Sequence, residues 1–188
     1  MKKPTGFDTI ILIGPIGVGK STVGKLLAQA LDCTFTSLDD LEKGYITPLG
    51  YDHKRAMEIA NQEGGFPFYA YRRSFFETAV IRCLEEIQEG VLEMGGGHPI
   101  MPAEANQQRI TKAFAPFKHV ILLIPSANPE DFIPRLRKRR KLPRHADDFN
   151  ELYFQDDTFM KLAKHVVFTE DKTPVEIVSE IQEWLSKN

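Results

Sequence analysis

Residues 14–21 read Gly14-Pro15-Ile16-Gly17-Val18-Gly19-Lys20-Ser21, which sets three glycines ahead of a lysine and a hydroxyl. This is the spacing G-x-x-x-x-G-K-[ST], and the chemistry it serves is phosphate binding. Glycines let the backbone curl until successive N–H groups face one concavity, an anion nest at the start of a helix. Gly14, Gly17, Val18 and Gly19 supply that backbone. Lys20 is a compact charge within reach of the β- and γ-phosphates of a nucleoside triphosphate. The Ser21 hydroxyl is placed to ligate Mg²⁺, and Thr22 adds a donor at the helix start.

Such a loop works only between a strand and a helix, and the flanks provide both. Residues 8–14 are a short apolar run, and 20–31 carry Val23, Leu26, Leu27 and Leu31 at helical spacing. A second strand is expected over 33–38, ending at Asp39-Asp40. Helical patterns dominate 55–89, interrupted by Gly64-Gly65 and Pro67, with a long helix from Arg72 closed by Gly90. A third strand over 91–97 runs into Gly95-Gly96-Gly97. Residues 103–115 read as helix, 119–125 as strand, 128–141 as helix, and the chain to Ala163 as polar stretch then helix. Residues 165–171 are a last strand, and Thr173-Pro174 open a C-terminal helix to about Ser186. Five short apolar strands alternating with helices describe a parallel sheet covered on both faces.

The composition narrows the function. A chain of 188 residues with 42% hydrophobic content suits one domain with a real core. A net charge of −2 gives no global field for nucleic acid or anionic membrane, and no apolar run has the length a membrane span needs. Cys33 and Cys83 lack metal or redox spacing, as expected of free thiols in a cytoplasmic protein, and the five histidines form no ligand pair. No Asn-Lys-x-Asp reads guanine. The third and fourth strands are read as ending in Met94-Gly95 and Ile124-Pro125, without the Asp-Glu of motor ATPases.

Taken in order, GPIGVGKSTVGKLLAQAL, SLDDLE, VLEMGGG, RLRKRRKLPRH and FTEDKTPVEIVSEI resemble the shikimate kinase family over nearly the whole chain. The resemblance implies a three-layer α/β/α fold with a five-stranded parallel sheet in the order 2-3-1-4-5. It implies transfer of the ATP γ-phosphoryl group to a small-molecule hydroxyl, with Mg²⁺, an acceptor-binding helical region at about 42–89 and a lid at about 135–150. A monomer with no nucleic-acid or membrane partner is expected.

Site roles follow residue by residue. SLDDLE stands where the family has Asp-x-Asp, one acid holding Mg²⁺ through water and one accepting the acceptor's proton. Neighbours on a strand point oppositely, so one of Asp39 and Asp40 faces the site, and Asp39 is favoured as catalytic and metal-binding; the plainer reading of the pair is a helix-start acid. Asp40, Arg73, Gly95, Gly96 and Gly97 are the implied acceptor contacts, with Arg72 second to Arg73. Residues 135–144 carry seven positive charges; a solvated face is the plain reading, and the lid is what the resemblance implies. Arg137 would stack on adenine, and Arg140 or Arg144 would offset charge on the transferred group. The chain departs from the family where a second carboxylate-binding arginine is expected, at Gln155, followed by Asp156 and Asp157. With the aromatic residues Phe66, Phe68, Tyr69, Tyr71, Phe75 and Phe76, this predicts poor capture of shikimate. A different polyol, sugar acid or nucleotide is the alternative acceptor, and a non-catalytic ATP-binding module the alternative of another class.

Overall fold

The computed structural model describes residues 9–63, 65–101, 103–139, 149–151 and 155–188. The elements are β1 (Ile10–Ile13), α1 (Lys20–Ala30), β2 (Phe35–Ser37), α2 (Leu38–Ile46), α3 (His53–Gln62), α4 (Gly65–Glu86), β3 (Val91–Glu93), α5 (Glu104–Phe114), β4 (His119–Ile124) and α6 (Phe132–Arg139). A short helix Thr158–Leu162, β5 (His165–Phe168) and a C-terminal helix Pro174–Leu185 complete them. All five strands pair in parallel in the order β2-β3-β1-β4-β5, as the resemblance implied.

Every residue of β1 and β4 is buried, because helices cover both faces of the sheet. Alternation then sorts the side chains by face. Ile11, Ile13, Leu92, Val120 and Leu122 pack with Phe76, Val80 and Cys83 of α4 and with Ile110 and Phe114 of α5. Ile10, Leu12, Val91, Ile121 and Leu123 pack with Val23 and Leu27 of α1 and with Ile177 and Ile181 of the C-terminal helix. Burial pushes the Cys83 thiol up to about 11, so it behaves as core filling. Among the described residues no helix is long and apolar enough to cross a membrane.

Two differences from the sequence reading bear on the site. β2 stops at Ser37 and Leu38 already opens α2, so Asp39 and Asp40 sit in the first turn of a helix, not at a strand end. Acids there face the positive end of the helix dipole, which favours the helix over a longer strand. β3 stops at Glu93, so the residue closing this strand is a carboxylate, not Met94. Pro67 does not interrupt a helix: it lies in the first turn of α4, where the missing N–H costs no bond. Residues 38–46, outside the helical stretch read from sequence, are α2, and Asp52 caps α3 by accepting from the N–H of Lys54 and Arg55 at 2.8 and 3.2 Å.

Candidate active site

The P-loop leaves β1 in a backbone path open to glycine. Gly14 has φ 142°, and a Cβ there would lie 2.2 Å from the carbonyl oxygen of Leu123 on β4. Gly19, at φ 106°, turns the chain into α1. Val18 is buried in the core beneath the loop, while Ser21 and Thr22 stay exposed. Lys20 is buried and lies along the loop, its ammonium donating to the carbonyls of Gly14 and Pro15 at 3.0 and 2.9 Å. Burial lowers its pKa, and the charges of Glu93 and then Asp39 work against that shift.

Lys20, Ser21 and Thr22 line one wall of a cavity of about 540 Å³. The same cavity is lined by Asp39, Arg72, Glu93, the turn Gly95–His98 and the aromatic side chains of Phe68, Tyr69, Phe76 and Phe149. P-loop residues, carboxylates and a guanidinium thus line one space, an arrangement suited to phosphoryl transfer.

The guanidinium is positioned by a buried network. Arg72 Nη2 donates to both oxygens of Glu42 at 2.9 and 2.8 Å, and its plane lies over the Phe68 and Phe76 rings at 5.4 and 5.5 Å. His98 accepts from the Gly95 N–H through Nδ1 at 3.0 Å, so its proton sits on Nε2 and is given to Glu42 at 2.9 Å. Burial of Glu42 opposes its ionisation, but the bonds from His98 and Arg72 outweigh it and hold the carboxyl below its ordinary range. Burial likewise works against the Arg72 charge, and Glu42 more than restores it. The cation is therefore held at the cavity lining by Glu42 through Nη2.

The glycine turn meets this network closely. A Cβ on Gly95 would lie 2.7 Å from Asp39 Oδ1 and 2.9 Å from His98 Nδ1, and one on Gly96 would lie 2.7 Å from Ile16 Cγ1. The glycines were expected to let backbone approach an acceptor; two of them make room for Asp39, His98 and the P-loop. Gly97 also lines the cavity.

The remaining expected residues fall as follows. Asp39 lines the cavity, and Asp40 is not among its lining residues. Arg72, not Arg73, reaches the cavity: Arg73 Nη2 donates to the Ile100 carbonyl and its guanidinium lies over Tyr69 at 5.6 Å. On α4 the two arginines are about 100° apart, so a choice between neighbours is a choice of helix face, decided here by Glu42. Arg137 is exposed and pairs with Glu151 at 3.9 Å. Arg140 and Arg144, and with them residues 140–148 of the expected lid, lie outside the described residues. Gln155 is exposed. Asp156 accepts from the Thr158 N–H at 2.7 Å and Asp157 pairs with Lys161 at 2.7 Å; neither is among the cavity's lining residues, where an acid would repel an anionic acceptor.

Glu42, Glu93, His98, Phe149 and Asn150 escaped the sequence reading. Glu93 and Glu42 are buried carboxylates, and a signal existed for Glu93, an acid closing an otherwise apolar buried strand. Asn150 is fully buried; its Oδ1 accepts from the Ile16 N–H at 2.8 Å and its Nδ2 donates to the Ile16 carbonyl at 3.1 Å. Phe149 beside it packs on Tyr69 with centroids 4.3 Å apart, so residues 149–151 tie the P-loop to α4.

The family model described as shikimate kinase matches residues 16–186. A shikimate kinase of Streptomyces coelicolor is 33% identical over 173 residues, which span 89% of this chain and 90% of the relative. Among solved structures, the fold resembles a shikimate kinase from Acinetobacter baumannii in complex with shikimate, at TM-score 0.62 and 20% identity, covering 98% of each chain. It also resembles a shikimate kinase from Aquifex aeolicus at TM-score 0.59 and 23% identity, covering 96% of this chain and 97% of that one.

Proposed function

This chain belongs to the shikimate kinase family, and from that premise we propose that it transfers the γ-phosphoryl group of ATP to a hydroxyl of shikimate. The observation that carries the reading is the single cavity in which Lys20 and Ser21 face Asp39, Arg72 and the Gly95–His98 turn. The P-loop amides and Lys20 would hold the β- and γ-phosphates and stabilise charge on the transferred group. The donors facing the cavity are hydroxyl and carboxylate oxygens (Ser21, Asp39, Glu93), a hard set that suits Mg²⁺. Mg²⁺ held by these oxygens would offset the negative charge of the phosphates.

Asp39, exposed at the start of α2, is the group to accept the hydroxyl proton of the acceptor. Arg72 is the group to hold the acceptor's carboxylate, with Glu42 and His98 as positioning residues. A clamp held by Glu42 also answers the absence of an arginine at Gln155: one preorganised guanidinium loses less entropy on binding than two mobile ones. The aromatic side chains close the wall around the ring of the acceptor. The basic run with Arg137 and Arg140 would cover the triphosphate.

The test is steady-state ADP production with ATP, Mg²⁺ and shikimate, with gluconate and other polyols as competitors for the role. Shikimate-dependent turnover near the common enzyme scale of about 10 per second is expected. Turnover that depends on another hydroxyl compound and ignores shikimate would overturn the acceptor assignment.

A further inference from the structure

We propose that Glu93, at the end of β3, is the carboxylate that anchors the magnesium ion of ATP in this protein, opposite Ser21. The inference rests on the phosphoryl-transfer reading and adds a residue to it.

Glu93 is 4% exposed, yet it lines the cavity together with Lys20, Ser21 and Asp39. It closes β3, the strand bonded to β1 on one side and β2 on the other, in register with Leu12 and Ser37. The strand beside the P-loop strand is where a carboxylate at the C-terminal end looks across at the P-loop hydroxyl, the geometry in which P-loop enzymes hold their ion. The neighbouring position on β2 is Ser37, whose Oγ donates to Glu93 Oε2 at 2.9 Å. Ser37 cannot supply the charge itself but fixes one oxygen of the carboxylate that does. Asp39 lies two residues past Ser37, in the first turn of α2, and is exposed. With Glu93 on the ion, Asp39 keeps its lone pairs for the acceptor's proton, and the two acids do not compete for one role.

A buried carboxylate needs a reason to stay buried. Ser37 gives it one hydrogen bond, and Lys20 lies close enough for Glu93 to be the leading charge that favours its ammonium. If neutralising Lys20 were its whole purpose, removing it would weaken nucleotide binding with or without metal. A metal anchor acts only when metal is present.

That difference is the experiment. Binding of a non-hydrolysable ATP analogue is measured with EDTA, with Mg²⁺ and with Mn²⁺, and the Mn²⁺ complex is followed by electron paramagnetic resonance. For Glu93→Gln, which keeps the shape and the Ser37 bond, the affinity gained on adding metal is expected to fall about ten- to a hundredfold. Its affinity in EDTA should hold, and the Mn²⁺ spectrum should change. The double variant Ser37→Asp, Glu93→Ala moves the carboxylate one strand across and is expected to recover part of the metal-dependent gain. It also keeps the test alive if Glu93→Gln folds poorly. An unaltered metal-dependent gain and Mn²⁺ spectrum in Glu93→Gln overturn the proposal while leaving the P-loop reading intact. Equal losses with EDTA and with metal overturn it in favour of a Lys20 counter-charge. Failure of the native protein to bind the analogue under any condition overturns the phosphoryl-transfer reading itself.

Discussion

The two walls of the cavity are built by opposite means. On the phosphate wall, Lys20 bonds to carbonyls five and six positions back, and the loop's shape comes from glycines inside eight residues. On the acceptor wall, Arg72 meets Glu42 across 30 positions, and His98 meets Glu42 across 56. The first wall is local chemistry that one short motif carries whole. The second exists only after α2, α4 and the turn after β3 have packed together. A change on the phosphate wall should therefore strike turnover with any acceptor, whereas a change on the acceptor wall should separate acceptor binding from nucleotide binding.

The hardest blow to the phosphate wall is Lys20→Ala. It is expected to leave the circular dichroism spectrum intact and to lower kcat at least about a hundredfold, the scale for losing a preorganised charge. A folded variant with near-native turnover would break the comparison at its firmer side.

On the acceptor wall the test is a pair of neighbours. Arg72→Ala should raise KM for shikimate about ten- to a hundredfold, the worth of a charged hydrogen bond, with KM for ATP little changed. Arg73→Ala, by contrast, loses a bond to the Ile100 carbonyl and should show in thermal stability ahead of KM. Equal KM effects would mean that the wall is not faced by Arg72 alone.

A third variant probes the seam between the walls. Asn150→Ala strips both backbone groups of Ile16 of their side-chain partner, and leaving such groups unsatisfied costs about 1–3 kcal/mol. Chemical denaturation should register that loss, and KM for ATP should rise with it because the P-loop is the segment released. A drop in stability with an unmoved KM for ATP would show that the P-loop holds its shape unaided.

The smallest effect is a pH dependence. Glu42 has its carboxyl held below the ordinary value of 4.5, so its contribution is fully present above that pH and is lost as pH falls through the depressed value. Glu42→Gln should cost about 1 kcal/mol at neutral pH, and the gap to the native protein should close below about pH 4.5. A gap of constant size down to pH 3 would remove the ionised Glu42–Arg72 pair from the account.

The sequence by itself determined the elements whose causes are short-ranged. The buried runs of β1 and β4 read as strands covered on both faces, and the glycine spacing between β1 and α1 reads as an anion nest. Thr173 and Pro174 likewise announce the C-terminal helix, which in the structure begins with a capping box between Thr173 and Glu176. Boundaries at β2 and β3 were less legible, since Ser37-Leu38-Asp39 fits a strand end or a helix start equally until packing chooses. Tertiary structure alone decided which of two adjacent arginines reaches the cavity. It also decided that Glu93 lines the cavity and that Asn150 braces the P-loop from 134 positions away. The physical reason is common to all three. Each depends on a partner distant in sequence that packing brings near, Glu42 for Arg72, Ser37 for Glu93 and Ile16 for Asn150, and no local pattern in the chain names that partner.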